Sequence, residues 1–170
     1  LLRTLNLSAM AKSVEAIALR AAKEGLTHEA FLLELARIEH ATKAARRIER
    51  LLKQSELLPG KTFHALDMHC FNAATRMQIE RLKEGAFLKE AINVIAVGRP
   101  WSGKSHLACA LGHALIEQGH PVLFMSTAAL VQRLLAAKRD LRLPKELTKL
   151  DRYECLVLDD RSGSVCLNSV

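Results

Sequence analysis

The sequence predicts an α/β fold: a parallel, doubly wound sheet preceded by a helical region. Three observations lead to it. Residues 1–58 keep apolar side chains at helical three-and-four spacing. Beyond residue 90, short runs rich in Val, Ile and Leu alternate with helical stretches, the order of a parallel sheet. The first of those runs leads directly into a glycine-bearing loop that opens a helix.

The elements follow in order. Met10, Val14, Ile17, Ala18 and Ala21 share one helical face, and Gly25 stops the helix after Lys23. Thr27 is the N-cap of a second helix, with Glu29 in the first turn where the helix dipole favours an anion. Phe31, Leu35, Ile38, Thr42, Ala45, Ile48 and Leu52 continue the spacing until Pro59-Gly60 breaks it. The pair forms a hairpin whose apolar seam needs a partner surface, from the following domain or from another chain. A mixed connector follows, with a helix over 72–84.

The period then changes. Ile92-Asn93-Val94-Ile95-Ala96-Val97 fits a buried strand ending at Gly98, and a helix runs from 103 to 118, closed by Gly119. Pro121-Val122-Leu123-Phe124-Met125 is a second strand, followed by a helix over 127–138. Pro144 opens a short helix, and Cys155-Leu156-Val157-Leu158 is a third buried strand ending in Asp159-Asp160. The expected organisation is a helical region over 1–58, a connector over 59–90 and a partial nucleotide-binding domain over 91–170.

Composition narrows the function classes. With 49% apolar residues and a net charge of +7 over 170 residues, the chain is too apolar and too weakly charged for a disordered protein. No apolar run approaches the ~18 residues of a membrane span, and no signal core opens the chain. Cys70, Cys109, Cys155 and Cys166 lie far apart without a Cys-x-x-Cys pair, which argues against a disulfide scaffold or a zinc knuckle. The expectation is a soluble, reduced, cytoplasmic protein with no membrane partner.

The positive charge is concentrated. Residues 37–53 hold six basic and two acidic side chains, and residues 133–152 hold seven and three, so each segment is +4. Basic helical faces attract a phosphate backbone without reading bases. With aromatics at 4%, stacking on single strands is a poor fit. His106, Cys109 and His113 share a helical face, but a helix that packs on a sheet explains them as core more simply than as metal ligands. His64, His69 and Cys70 lack the spacing of a metal site, and Cys155 reads as a small core residue.

Gly98-Arg99-Pro100-Trp101-Ser102-Gly103-Lys104-Ser105 matches the G-x-x-x-x-G-K-[ST] phosphate loop, with a strand before it and a helix after it. Glycines let backbone N–H groups converge on phosphate oxygens, and the helix N-terminus adds partial positive charge. Lys104 can reach the β- and γ-phosphates, and the Ser105 hydroxyl can ligate Mg²⁺. Asp159 and Asp160 close a buried strand 54 residues after the loop's Lys104-Ser105 pair, where one carboxylate can hold Mg²⁺ and its neighbour can polarise water. The two features together imply a site for ATP and Mg²⁺.

Residues 98–112, together with Glu24-Gly25-Leu26-Thr27, Phe31-Leu32, Pro59-Gly60-Lys61-Thr62, Asn93-Val94-Ile95 and Leu158-Asp159-Asp160, resemble the IstB-like ATP-binding proteins. These are transposition helper ATPases of insertion sequences, related to DnaC-type helicase loaders within the AAA+ class of P-loop NTPases. The resemblance implies residues 98–106 as the nucleotide contacts, His106 among them, with Ser105 and Asp159 at Mg²⁺ and Asp160 positioning water. It also implies an ATP-dependent homo-oligomer that assists a transposase on DNA. The alternatives are a non-hydrolysing remnant that keeps helical partner or DNA contacts, and a loader whose partner is a replicative helicase.

This chain departs from the family pattern in three places. Trp101 stands where the family's loops carry glycine, so a left-handed backbone there would be strained. The acid pair continues as Arg161-Ser162-Gly163 instead of Leu-Gly, and the sequence ends at Val170. In the AAA+ sheet, strands that follow the acid pair flank the phosphate-loop strand on both sides. The expectation is therefore a domain truncated after its acids, a first strand with unpaired ladder groups, and impaired hydrolysis.

Overall fold

A computed structural model describes residues 1–99, 101–160 and 164–169. The chain divides into two compact units, Leu1–Glu49 and Arg50–Val170.

The first unit is a helix pair. Helix α1 (Ser8–Glu24) ends at Gly25 in the left-handed conformation, φ 64°, the geometry that glycine adopts without a Cβ clash. Thr27 Oγ1 accepts from the Ala30 N–H at 3.2 Å, capping α2 (His28–Gln54). The start of α1 has no side-chain cap of its own. Glu39, from the middle of α2, supplies one: its Oε2 accepts from the N–H groups of Ala9 and Met10 at 2.8 and 2.9 Å. Those two donors hold the Glu39 carboxyl below its usual range. Ile17 and Leu35 are buried in the seam, whereas Leu19, Leu32 and Leu33 are exposed.

The second unit is a three-layer α/β domain. It opens with the last turn of α2, then a connector, α3 (Ala73–Lys83) and the short α4 (Ala86–Lys89). Asn72 caps α3, accepting from Thr75 N–H at 2.8 Å. The remainder is β1 (Val94–Val97), α5 (Lys104–Glu117), β2 (Val122–Ser126), α6 (Thr127–Arg139), α7 (Leu143–Leu150), β3 (Cys155–Asp159) and β4 (Ser164–Ser169). Ser126 caps α6 through Ala129 N–H, and Pro144 sits in the first turn of α7.

The sheet order is β1-β4-β3-β2. β2 and β3 pair in parallel, while β4 is antiparallel to both β3 and β1, so β1, β2 and β3 all run in one direction. This corrects two expectations. The sheet is mixed, not wholly parallel, and β1 has a neighbour on one side, where Val94 pairs with Leu167 and Val97 with Ser164; its other side is the sheet edge. The tail fills the slot because its apolar residues alternate. Val165 and Leu167 are buried at 1% exposure each, on the face that α5 covers. Alternating with them, Ser164, Cys166 and Asn168 are small or polar; residues 161–163 and Val170 lie outside the described residues.

α5 packs on β2, β3 and β4 with Cys109, Leu115 and Ile116 fully buried, as a core helix requires. On the other face, Leu123, Met125 and Leu150 gather Leu130, Leu134, Leu156 and Leu158 under α6 and α7. That cover does not extend over β1, so Ile95 and Val97 are 63% and 81% exposed, against the expectation of a fully buried strand. Among the described residues, no helix is long and apolar enough to cross a membrane.

Candidate functional site

The phosphate loop leaves the carboxyl end of β1 and enters α5 at Gly103, φ 84°. Trp101 also takes a left-handed backbone, φ 66°, and its indole is fully exposed. The strain anticipated at this position is therefore present. Gly98 packs closely against the loop: a Cβ there would lie 3.2 Å from Ser102 Oγ, so that side chain would have to shift by a few tenths of an ångström. Ser102 N–H donates to Arg99 O at 3.3 Å, tightening the turn, and Pro100 lies outside the described residues.

Lys104 folds back over its own loop. Its Nζ donates to Gly98 O at 2.9 Å, Arg99 O at 2.6 Å and Ser102 Oγ at 3.2 Å. The ammonium is thus held at the mouth of the loop, where it neutralises carbonyl oxygens that would otherwise repel an anion. Ser105, in the first turn of α5, reaches across to the end of β3 and donates from Oγ to Asp159 Oδ1 at 3.1 Å. Two oxygen donors 54 residues apart in sequence so meet at the helix N-terminus, a donor set suited to a hard divalent cation.

Asp160, just past the carboxyl end of β3, is exposed, and its N–H donates to Ser164 O, at the start of β4, at 3.0 Å. His106 is half-buried; its Nε2 lies 3.1 Å from Thr62 O, and the residue lines the concavity at the loop together with Lys104 and Ser105. It ties the connector to α5 beside the loop where the resemblance implied a nucleotide contact. His113 lies 3.4 Å from Leu58 O on the same helix. Leu57 packs so closely that a Cβ on Gly112 would meet it at 2.8 Å. Cys109 is buried beneath, its thiol pushed up by desolvation. Among the described residues, no cluster of three or more His, Cys, Asp or Glu is arranged to hold a metal ion.

Sequence reasoning missed one member of the site. Lys61 lines the same concavity of about 330 Å³ as Trp101, Ser102, Lys104 and Ser105. The connector that carries it is fastened by His106, so a second ammonium faces the loop. In the sequence Lys61 stands out only within Pro59-Gly60-Lys61-Thr62, a segment that carries the family resemblance but gives the lysine no role until the connector is seen folded onto α5.

The chain is 41% identical over 142 residues to an insertion sequence ATP-binding protein of Sinorhizobium fredii, covering 83% of this chain and 48% of that protein. It is 34% identical over 160 residues to the ATP-binding protein of insertion sequence IS21 from Pseudomonas aeruginosa, covering 94% and 60%. With the ATP-binding protein of insertion sequence IS5376 from Geobacillus stearothermophilus it shares 30% over 156 residues, covering 92% and 62%. The chain thus spans about half to three fifths of the length of these relatives. Residues 1–166 match the family described as IstB-like ATP binding protein, and the chain belongs to that family.

Proposed function

We propose that this chain binds ATP with Mg²⁺ at the corner between β1, α5 and β3, and acts as a cytoplasmic helper of an insertion-sequence transposase on DNA. The observation that carries the reading is the meeting of Ser105 Oγ with Asp159 Oδ1 beside the lysine-bearing loop. The residues present fit the nucleotide: left-handed Gly103, the α5 N-terminus, and the ammonium groups of Lys104 and Lys61 favour a polyphosphate. Residues 98–105 would hold the phosphates, and Ser105 with Asp159 would hold Mg²⁺, whose chemistry is to neutralise charge on the β- and γ-oxygens. Asp160 is placed to accept a proton from water by its position at the strand end. Names of the relatives refer to insertion sequences and ATP, which supports the transposition setting.

Titration of a fluorescent ATP analogue in Mg²⁺ tests the site. Lys104→Ala should weaken binding at least about tenfold, the loss of one charge-assisted phosphate contact. Unchanged affinity in that variant overturns the assignment.

Binding without turnover is a second reading, favoured by β4, which lies antiparallel between β1 and β3 and whose Ser164 carbonyl accepts from the Asp160 N–H. ATP turnover that disappears in Asp160→Asn would exclude it.

A further inference from the structure

The two basic segments seen in the sequence do not remain separate. The end of the first, Arg50 and Lys53 on the last turn of α2, meets Arg133, Lys149 and Arg152 of the second around one open concavity of about 520 Å³. Five cations separated by up to a hundred residues so face a common space, with Glu56 as the one acid in the lining. A neighbouring groove of about 460 Å³ shares Arg133 and Lys149 and adds Arg142 and Lys145, together with Asp140 and Glu146.

The fold builds this surface in three ways. Ser55 is fully buried, and its carbonyl accepts from Phe124 N–H at 2.7 Å, so the end of α2 is pinned to the outer edge of β2. Leu51 is buried in the same turn, which turns Arg50 and Lys53 outward to the concavity. Glu146, only 14% exposed, pairs with Arg133 and accepts from Lys149 Nζ at 2.9 Å, so two long side chains are held on a shared rim. Lys149 and Arg133 keep that carboxyl ionised well below the usual range.

The concavity is not part of the nucleotide site. Pro121 and Arg152-Tyr153, which line it, immediately precede β2 and β3, so it lies at the amino ends of the parallel strands. The phosphate loop leaves the carboxyl end of β1, which runs in the same direction. A five-residue strand separates the two ends by roughly 13 Å, beyond the Debye length of about 8–10 Å at physiological salt.

We propose that this basic concavity binds the phosphodiester backbone of duplex DNA, on the end of the sheet opposite the phosphate loop. The inference rests on the reading of the chain as a protein that works on DNA, and it says where the DNA lies. An acidic protein partner fits less well, since such interfaces centre on exposed aromatic or aliphatic anchors. Here the apolar lining is Leu51, which is buried, with Pro121 and a half-buried Tyr153. Long, exposed cations around an open hollow suit a surface recognised by charge alone.

The test is fluorescence anisotropy of the full chain with a labelled 30-base-pair duplex across 50–200 mM NaCl. Arg50→Glu with Arg152→Glu should raise Kd at least about tenfold, and Arg50→Gln with Arg152→Gln should lower the salt slope by about two. Affinity for the ATP analogue should stay unchanged in both, which also shows that the fold is intact. Affinity for DNA within twofold of the parent in the glutamine pair overturns the proposal. If Arg37→Glu with Lys43→Glu abolishes DNA binding while the Arg50 and Arg152 variants do not, the DNA reading stands and this surface is wrong. No binding of the parent chain to duplex at 50 mM salt overturns both. Displacement by poly-glutamate but not by unlabelled duplex assigns the hollow to an acidic protein and also overturns it.

Discussion

Trp101 and Gly103 both occupy left-handed backbone, at φ 66° and 84°, yet only one of them lacks a Cβ. The left-handed conformation costs an L-residue about 1–2 kcal/mol, and an exposed indole recovers nothing through packing. Glycine's extra freedom in the unfolded chain offsets about 0.5–1 kcal/mol of the relief. Trp101→Gly should therefore raise stability by up to about 1 kcal/mol in urea unfolding, whereas Trp101→Ala, which keeps the Cβ, should change it little. A loss of more than about 1 kcal/mol in both variants would mean that the indole packs after all. The strain was legible in the sequence as a conditional, because a loop of this kind uses glycine for a steric reason. The condition itself, a positive φ at residue 101, is a property of the folded loop.

β4 is an edge-free strand made by a tail that reads as polar. Its two apolar residues, Val165 and Leu167, alternate with Ser164, Cys166 and Asn168, and Arg161-Ser162-Gly163 supplies turn-type residues before them. That signal was present but weak, since four of the six strand residues are polar or small. Burial decides it: Leu167 sits between Val94 and Val157 in register and is 1% exposed. Leu167→Ala should cost about 2–5 kcal/mol in chemical unfolding, the range for a buried leucine that leaves a cavity. A cost below about 1 kcal/mol would show that β4 contributes little to the sheet. Pairing with β4 satisfies the ladder groups on one side of β1, while its other side forms the edge of the sheet.

Across the whole molecule, stability has a titratable part in the first unit. Glu39 is lowered from its ordinary value near 4.5 because Met10 and Ala9 N–H groups bind its charged form. A carboxylate with a depressed folded pKa contributes stability above the unfolded value and loses it as pH falls through the folded one. Acid titration followed by far-UV circular dichroism should show the helix pair losing signal below about pH 4.5, and Glu39→Gln should flatten that step while lowering Tm at pH 7. An identical acid profile in the variant would remove Glu39 as the cap of α1. The basic segments show the same dependence on folding. Each was legible as a run of charge, but only the pinning of Ser55 to β2 brings Arg50 beside Arg152.

The linear chain specified its helices and three parallel strands, the phosphate loop and the acid at the strand end. Period, capping residues and motif spacing are local properties, and local physics reads them without a fold. What folding alone established is non-local. The insertion of β4 between β1 and β3, the approach of Lys61 to the loop, the capture of His106 by Thr62 and the merging of two basic runs each depend on which surfaces meet. Those meetings are set by burial and by backbone hydrogen bonds between segments far apart in sequence, and no periodicity along the chain records them.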